Sequence, residues 1–331
     1  MHRASPLFRI RMRHLKSICL FVTVQALSLL ALAAPLSAGT RQGPAVPGLS
    51  AQSLFDLEYA NVGGQSLKLD LLLPDGAGPF PVIVSIHGGS WDSGTRDQGI
   101  AFLQVSRGYA VANIDYRLVP GSIFPAQIED VKAAVRWLRA NATRFNLNPN
   151  RIGAMGYSAG GHLAALLGTS AGVEELEGAG HGNPGFSSRV QAVVDYFGPT
   201  DLLRLAEQAP ACLPGDPDDP AQAPSRLIGC PIQECPEKTT AANPIHYVSP
   251  DDSPFLILHG LADCLVPWQQ SQILHDALLE AGVESKLILV PGLAHADPLF
   301  LLPTLQSQVE AFLDQHLMRA GPARRTRPAR R

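Results

Sequence analysis

The sequence predicts an α/β fold with a mainly parallel central sheet and helices on both of its faces. Short, continuous apolar runs rich in β-branched residues recur along the chain, and segments with helical spacing lie between several of them. Strands buried on both faces of a parallel sheet have this continuous apolar character, whereas strands with one solvated face alternate. Such strands alternating with amphipathic helices therefore indicate a parallel sheet between two helical layers.

Seven runs have the composition of buried strands: residues 67–73, 82–86, 110–114, 152–156, 190–196, 255–258 and 286–290. Two segments between them have helical periodicity. In residues 125–139 the apolar positions step by three, four and three, namely Ile128, Val131, Val135 and Leu138. Residues 269–279 place Ile273, Leu274, Ala277 and Leu278 on one stripe. Residues at these spacings share one face of a helix, so both segments are predicted to be amphipathic helices.

The first 38 residues have the order of a secretory signal peptide. Basic residues come first, an apolar run follows from Ile18 to about Ala34, and small residues close the segment. This order predicts export to the periplasm or the exterior. A membrane anchor is the alternative, but Gln25, Ser28 and Pro35 interrupt the run, so no stable membrane insertion is expected once the leader is removed. We expect a linker over residues 39–52, a catalytic domain over 53–318 and a disordered basic tail over 319–331.

The charge of the body argues against a nucleic-acid partner. Five of the 26 Lys and Arg residues lie in the leader and six in the tail, which leaves 15 against 29 Asp and Glu. A body with this excess of negative charge repels phosphate backbones and acidic substrates. The tail could touch nucleic acid or anionic lipid, but a solvated end is the preferred interpretation. The sequence leaves the oligomeric state open.

The mature chain has four cysteines, Cys212, Cys230, Cys235 and Cys264. An even number in an exported protein predicts two disulfides, in any of three pairings. A zinc site is the rival interpretation, and the chain has no CxxC pair or HxxxH motif to accompany it. Two irregular segments rich in Gly, Pro and Asp, residues 172–185 and 208–236, interrupt the alternation, and the second contains three of these cysteines. Long irregular insertions are usually functional, so both are expected to cover a site.

Ser158 lies between a predicted strand, residues 152–155, and a predicted helix, residues 161–167, in the motif GYSAG. At such a turn the serine is held in a strained backbone conformation with its hydroxyl exposed, and residues two positions away must be small. Gly156 and Gly160 meet that requirement. Ser158 is therefore the candidate nucleophile.

A serine nucleophile needs a base and an acid that orients the base. Catalytic groups gather at the carboxyl ends of parallel strands, and Asp263 and His295 both follow predicted strands. We assign Asp263 as the acid and His295 as the base. Asp201 is a rival acid that better suits a helix N-cap. Among the histidines, His162 is expected to be structural and His259 to hydrogen-bond within its loop.

Acyl chemistry also needs N–H donors for an oxyanion. Residues 82–86 lead into HGGSW, whose glycines free backbone N–H groups to point into a site. The N–H groups of Gly89, Ser90 and Ala159 are the expected donors, and Gly88 is expected to shape the turn. A tight turn that merely needs glycine is the alternative. Trp91, Tyr157 and Trp268 are expected to line the substrate pocket.

The motifs HGGSW, NIDYRL, GYSAGGHLAAL, HGLADCLVP and GLAHAD resemble those of the α/β-hydrolases, in the same order. The closest resemblance is to bacterial esterase/lipase-like proteins grouped with feruloyl and acetyl-xylan esterases, and it covers residues 54–317. It implies the α/β-hydrolase fold and hydrolysis of carboxylic esters through an acyl-enzyme. Ser158, Asp263 and His295 match the family's triad motifs. Ser90 departs from the pattern because many relatives have a third glycine there.

The sequence thus predicts an exported serine esterase that needs no cofactor or metal. Its expected substrates are neutral esters with a small acyl group, or aryl or polysaccharide-linked esters. A serine peptidase or amidase on the same fold and a non-catalytic binding protein are the alternatives. An organophosphonate probe separates them, because a binding protein would not be labelled at Ser158.

Overall fold

The computed structural model describes residues 53–178 and 180–318. Its strands are β1 (Leu54–Val62), β2 (Gln65–Leu72), β3 (Phe80–Ile86), β4 (Ala110–Ile114), β5 (Leu147–Tyr157), β6 (Ala192–Tyr196), β7 (Phe255–Gly260) and β8 (Ser285–Val290). They form one sheet in the order β1-β2-β4-β3-β5-β6-β7-β8. The pairs β1–β2 and β2–β4 are antiparallel, and the other five neighbouring pairs are parallel. The prediction of a mainly parallel α/β sheet is confirmed.

All seven predicted strands are present, and β1 is the strand that the pattern did not indicate. This strand lies at the edge of the sheet and pairs with β2 alone. Its residues Asp56 and Glu58 are exposed, and its register is irregular at two places. An edge strand with charged, solvated residues does not have the continuous apolar run of a buried strand.

The helices are α1 (Ala126–Ala140), α2 (Ala159–Thr169), α3 (Leu205–Gln208), α4 (Ala223–Ile228), α5 (Pro236–Ala241), α6 (Gln269–Glu280) and α7 (Pro303–Leu313). The two predicted amphipathic helices correspond to α1 and α6. The four apolar residues that define the stripe of α1 are fully buried. Burial of such a stripe, about 1.5–3 kcal/mol for each large side chain, holds a helix on a sheet far more strongly than helix propensity does.

Two hydrophobic cores lie on opposite faces of the sheet. Val82 and Val84 of β3 belong to one core, and Ile83 belongs to the other. Because successive side chains of a strand point to opposite faces, the two cores are separated by the sheet. Helices α1, α2 and α6 cover the first core, and α7 covers the second, with buried residues Val309, Phe312 and Leu313. The predicted layering is confirmed.

The predicted signal peptide (1–38), linker (39–52) and basic tail (319–331) lie outside the described residues. Across the described ranges, 53–178 and 180–318, no helix is long and apolar enough to cross a membrane.

Candidate active site

Ser158 is the single residue between strand β5 and helix α2. It has a positive φ of 55° with ψ −123°, a combination that is unfavourable for a residue with a side chain. A Cβ atom on Gly156 would overlap the carbonyl of Gly160, and one on Gly160 would overlap the carbonyl of Ile86. The strand, the turn and the helix therefore approach too closely for any larger residue at these two positions. The tight turn predicted from the spacing of the glycines is present.

Asp263 and His295 lie in the loops that follow β7 and β8, at the carboxyl edge of the sheet. The Nε2 atom of His295 is 2.9 Å from Oγ of Ser158, and its Nδ1 atom is 2.7 Å from Oδ2 of Asp263. Oδ1 of Asp263 accepts hydrogen bonds from the backbone N–H groups of Leu265 and Val266, at 2.8 and 2.9 Å. Three side chains from distant parts of the sequence thus form one hydrogen-bonded chain.

Asp263 is buried, and burial would raise the pKa of its carboxyl group. Hydrogen bonds from His259 and His295, with the attraction to His295, outweigh this effect and hold the pKa well below its usual range. Asp263 is therefore an anion at neutral pH. A fixed anion against Nδ1 keeps the proton on that nitrogen and leaves Nε2 free to accept one from Ser158.

The rival residues occupy other positions. Asp201 caps a short 3₁₀-helix, Leu202–Arg204, by accepting a hydrogen bond from the N–H of Leu203 at 3.2 Å. His162 accepts a hydrogen bond from Nε1 of Trp91 at 3.2 Å, and its other nitrogen lies 2.7 Å from the carbonyl of Ala242. Complete burial lowers the pKa of His162 to about 4, so it is a neutral residue of the core. The expected structural roles of Asp201 and His162 are confirmed.

His259 makes the loop contact that the sequence predicts, and it also lies against Asp263, which the sequence does not predict. His259 is fully buried, with Nε2 2.9 Å from the carbonyl of Val266 and 3.3 Å from Oδ2 of Asp263. Phe197 was also missed: it has a positive φ of 44°, and its ring centroid lies 4.8 Å from that of His295. The four-residue spacing of the histidine and aspartate in HGLAD is the local signal for the contact between His259 and Asp263. No local signal marks Phe197.

The loop after β3 borders the same cavity as Ser158, through Ser90 and Trp91. Gly89, Ser90 and Trp91 all have positive φ values, of 103°, 54° and 58°. Within the described chain, no protein acceptor is found for the N–H of Gly89 or Ser90. A Cβ atom on Gly88 would overlap the ring and carbonyl of Tyr157, so the loop packs tightly on the end of β5. Backbone N–H donors close to the candidate nucleophile are what an oxyanion would require.

A mostly apolar cavity of about 160 Å³ opens onto Ser158. It is lined by Ser90, Trp91, Ser158, Ala159, Pro199, Leu205, Leu213, Pro214, Pro217, Gln222, Ala223, Pro224, Leu265, Val266 and His295. Trp91 lines the cavity as expected, but Tyr157 and Trp268 do not. The ring of Tyr157 packs over Gly88 instead. Trp268 is the N-cap residue of α6, and Leu265 and Val266 are the residues of this loop that line the cavity.

Residues 208–236 contribute six of the residues that line the cavity, whereas the described residues of the segment 172–185, all but residue 179, contribute none. The expectation that residues 172–185 cover the site is wrong. Glu177 in this segment binds Nζ of Lys132 at 3.0 Å and a guanidinium nitrogen of Arg136 at 3.1 Å, so the segment packs on α1.

The four cysteines form two disulfides, Cys212–Cys264 and Cys230–Cys235. The structure thus selects one of the three pairings that the sequence left open. No cluster of three His, Cys, Asp or Glu residues suited to a metal ion is found among residues 53–178 and 180–318.

The order of the hydrogen-bonded groups along the chain is serine, aspartate, histidine, and each group follows a parallel strand of the sheet. This order and placement are those of the α/β-hydrolase class. The chain belongs to the BD-FAE family of α/β-hydrolase esterases, whose model matches residues 69–278. The matched region includes Ser158 and Asp263 and ends before His295.

Proteins similar to this chain include several esterases. Esterase LipQ of Mycobacterium tuberculosis is 33% identical over 72% of this chain and 56% of its own length. Esterase LipC of the same organism is 34% identical over 59% of this chain and 47% of its own length. The chain thus spans about half the length of these two relatives. A truncated carbohydrate esterase from gut microbiota is 33% identical over 83% of this chain and 99% of its own, with a TM-score of 0.74. Propionate-bound esterase 2 of Thermogutta terrifontis is 26% identical over 82% of this chain and 93% of its own, with a TM-score of 0.62.

Proposed function

We propose that this protein is a serine carboxylic-ester hydrolase that acts through an acyl-enzyme formed on Ser158. The observation that carries the proposal is the 2.9 Å contact between Oγ of Ser158 and Nε2 of His295 at the wall of the apolar cavity. A serine hydroxyl becomes an effective nucleophile when a positioned base takes its proton. The esterase relatives support the same reaction class.

In this mechanism Oγ of Ser158 attacks the ester carbonyl while Nε2 of His295 takes the hydroxyl proton. The imidazolium that forms is stabilised by the carboxylate of Asp263, 2.7 Å from Nδ1. Collapse of the tetrahedral intermediate breaks the bond to the alcohol oxygen, which receives the proton from Nε2. Water then attacks the acyl-enzyme by the same route, which releases the acid and restores Ser158.

The negative charge on the tetrahedral oxygen needs donors that are already in place. The N–H groups of Gly89 and Ser90 have no acceptor among residues 53–178 and 180–318, and that of Ala159 begins helix α2, whose N-terminus favours negative charge. We assign these three N–H groups as the oxyanion donors. Gly88 allows their approach, since a larger residue there would overlap Tyr157. Each donor of this kind is worth about 2.7–4 kcal/mol of barrier.

The cavity supports neutral substrates. Its lining contains no Asp, Glu, Lys or Arg among the described residues, and most of the lining residues are Pro, Leu, Val, Ala or Trp. A charged acyl group would lose its hydration there without gaining a partner. One structural relative is a carbohydrate esterase, which supports polysaccharide-linked esters as substrates. Export, inferred from residues 1–38, is supported by the two disulfides, because disulfides persist in oxidising compartments.

The test compares Ser158→Ala with a matched variant, Ser106→Ala, an exposed serine that bonds the carbonyl of Leu103. With 4-nitrophenyl acetate and butyrate, we expect kcat/KM to fall by about 10⁴-fold or more in Ser158→Ala and to stay unchanged in Ser106→Ala. A fluorophosphonate probe should label Ser158 alone. Full activity in Ser158→Ala would overturn the proposal, and a labelled enzyme that cleaves amides but not esters would favour a peptidase.

A further inference from the structure

One wall of the cavity is made by a segment with few ties to the rest of the molecule. Residues 209–222, the wall segment, contribute Leu213, Pro214, Pro217 and Gln222 to the lining. Most of the segment is exposed, and none of its residues belongs to either hydrophobic core. Burial of apolar side chains therefore does little to fix its position.

Hydrogen bonds do not attach the wall segment to the sheet. Within the described part of the chain, every hydrogen bond of residues 209–222 goes to a partner between residues 206 and 233. These partners lie within or next to the same irregular insertion. Asp219, for example, accepts from the N–H groups of Ala221 and Gln222. A segment held by local bonds alone is expected to open at low free-energy cost.

The disulfide Cys212–Cys264 supplies the missing connection. Cys212 is in the wall segment, and Cys264 follows Asp263 in the loop after β7. Leu265 and Val266, the next two residues of that loop, also line the cavity. The bond therefore joins two walls of one cavity and holds the Cα atoms of the two cysteines 5.3 Å apart. It closes a chain loop of 52 residues, so its loss would release much conformational freedom.

We propose that Cys212–Cys264 is a specificity-determining crosslink that keeps the acyl pocket small and restricts the enzyme to short, neutral acyl groups. This inference rests on the proposed ester hydrolysis. With the crosslink in place, the cavity has a volume of about 160 Å³. Cavities of roughly 150 Å³ hold a molecule the size of benzene, which corresponds to a short acyl chain or one aromatic ring. When the crosslink is absent, the wall segment moves outward and longer chains enter.

The second disulfide provides a matched control. Cys230–Cys235 lies in the same irregular insertion, but its two cysteines are five residues apart and it connects nothing across the cavity. Removing it also replaces two cysteines by serines, as in the first double variant. Its removal should leave the distance between the two cavity walls unchanged.

The experiment compares the full-length wild-type chain, Cys212→Ser/Cys264→Ser and Cys230→Ser/Cys235→Ser. The readout is the ratio of kcat/KM for 4-nitrophenyl butyrate to that for 4-nitrophenyl octanoate. We expect the ratio to fall by about tenfold in the first double variant and to stay within about twofold of wild type in the second. Cys212 is exposed, so treating folded wild type with a phosphine reductant should shift the ratio in the same direction, even where the serine variant folds poorly. Hydrogen exchange should increase in residues 209–222 of the first variant.

An unchanged ratio in both the first double variant and the reduced wild type, with hydrolysis retained, overturns the inference and leaves the proposed function intact. An equal fall in the ratio for the control variant also overturns it, because the effect would then come from the insertion as a whole. Absence of hydrolysis of either ester by the wild-type chain overturns the proposed function and this inference together.

Discussion

His259 Nε2 lies 3.3 Å from Oδ2 of Asp263, the same oxygen that His295 contacts at 2.7 Å. The carbonyl of Val266, 2.9 Å from Nε2 of His259, can only accept, so this nitrogen carries a proton and donates. Nδ1 of the same ring lies 2.7 Å from Oγ of Ser271. His259 is therefore a fixed donor to the proposed acid, and it fixes the position of the carboxylate together with the N–H groups of Leu265 and Val266.

We expect His259→Leu to lower kcat on a short-chain ester by about 10²-fold with little change in KM, because a misplaced Asp263 no longer orients His295. Steady-state kinetics with 4-nitrophenyl butyrate measures the two parameters separately. His275→Leu is the control, since His275 on α6 bonds Ser285 and lies outside the cavity lining. A wild-type kcat in His259→Leu would contradict a positioning role.

Asp195 of β6 is a buried acid that the hydrolysis mechanism does not use. Its Oδ1 accepts from the N–H of Gly198 at 3.0 Å, and its Oδ2 has no hydrogen-bond partner among the described residues. Complete burial raises the pKa of Asp195 to about 7, and the hydrogen bond from Gly198 offsets only part of this effect. The unfolded chain ionises near the usual value of 3.8, so between these two pKa values the folded protein binds more protons. Stability must therefore fall as the pH rises through this window.

Asp195→Asn, which resembles the protonated acid in shape, should remove that loss. Between about pH 5 and pH 8 we expect the wild type to lose about 3 kcal/mol of unfolding free energy relative to Asp195→Asn. Urea denaturation at the two pH values measures the difference. Asp276→Asn, at an exposed position on α6, is the control. Parallel pH profiles for wild type and Asp195→Asn would show that Asp195 is ionised in the folded protein.

The close approach at the serine turn can be tested at Gly160. Alanine is favoured over glycine in a helix by about 1 kcal/mol, so propensity alone predicts that Gly160→Ala is stabilising. The added Cβ would overlap the carbonyls of Ile86 and His87, which belong to rigid backbone. Overpacking of this kind costs about 1–3 kcal/mol, so we expect a net loss of stability and of activity.

Urea denaturation of Gly160→Ala and of Gly185→Ala checks this prediction. Gly185 has open space around its Cβ position and no positive φ, so its change should stay within about 0.5 kcal/mol. A Gly160→Ala variant more stable than wild type would mean that helix α2 can move away from the end of β3.

Much of the fold follows from local patterns in the sequence. Strands β2 to β8 each contain a short, mainly apolar run, and α1 and α6 have apolar stripes, because burial on a sheet favours these patterns. Ser158 could be selected because the strand, the turn and the helix around it are contiguous in the sequence. Asp263 and His295 could be selected because each follows a parallel strand, and the carboxyl ends of such strands share one edge of the sheet.

Contacts between distant segments could not be predicted from local sequence patterns. Tyr157 and Trp268 are close in sequence to the serine turn and to Asp263, yet the folded chain points neither into the cavity. Residues 172–185 and 208–236 have similar compositions, but ion pairs with α1 hold the first segment away from the site.

The amino-acid order alone determined the layered α/β sheet, the serine turn and the sequence of serine, aspartate and histidine, because these depend on periodicity and on the ends of strands. The folded structure decided which cysteines pair, which segment walls the cavity, and that Phe197 contacts the proposed base. Those features depend on packing between segments tens of residues apart. Such packing is set by the shape and burial of the whole chain, and no local pattern encodes it.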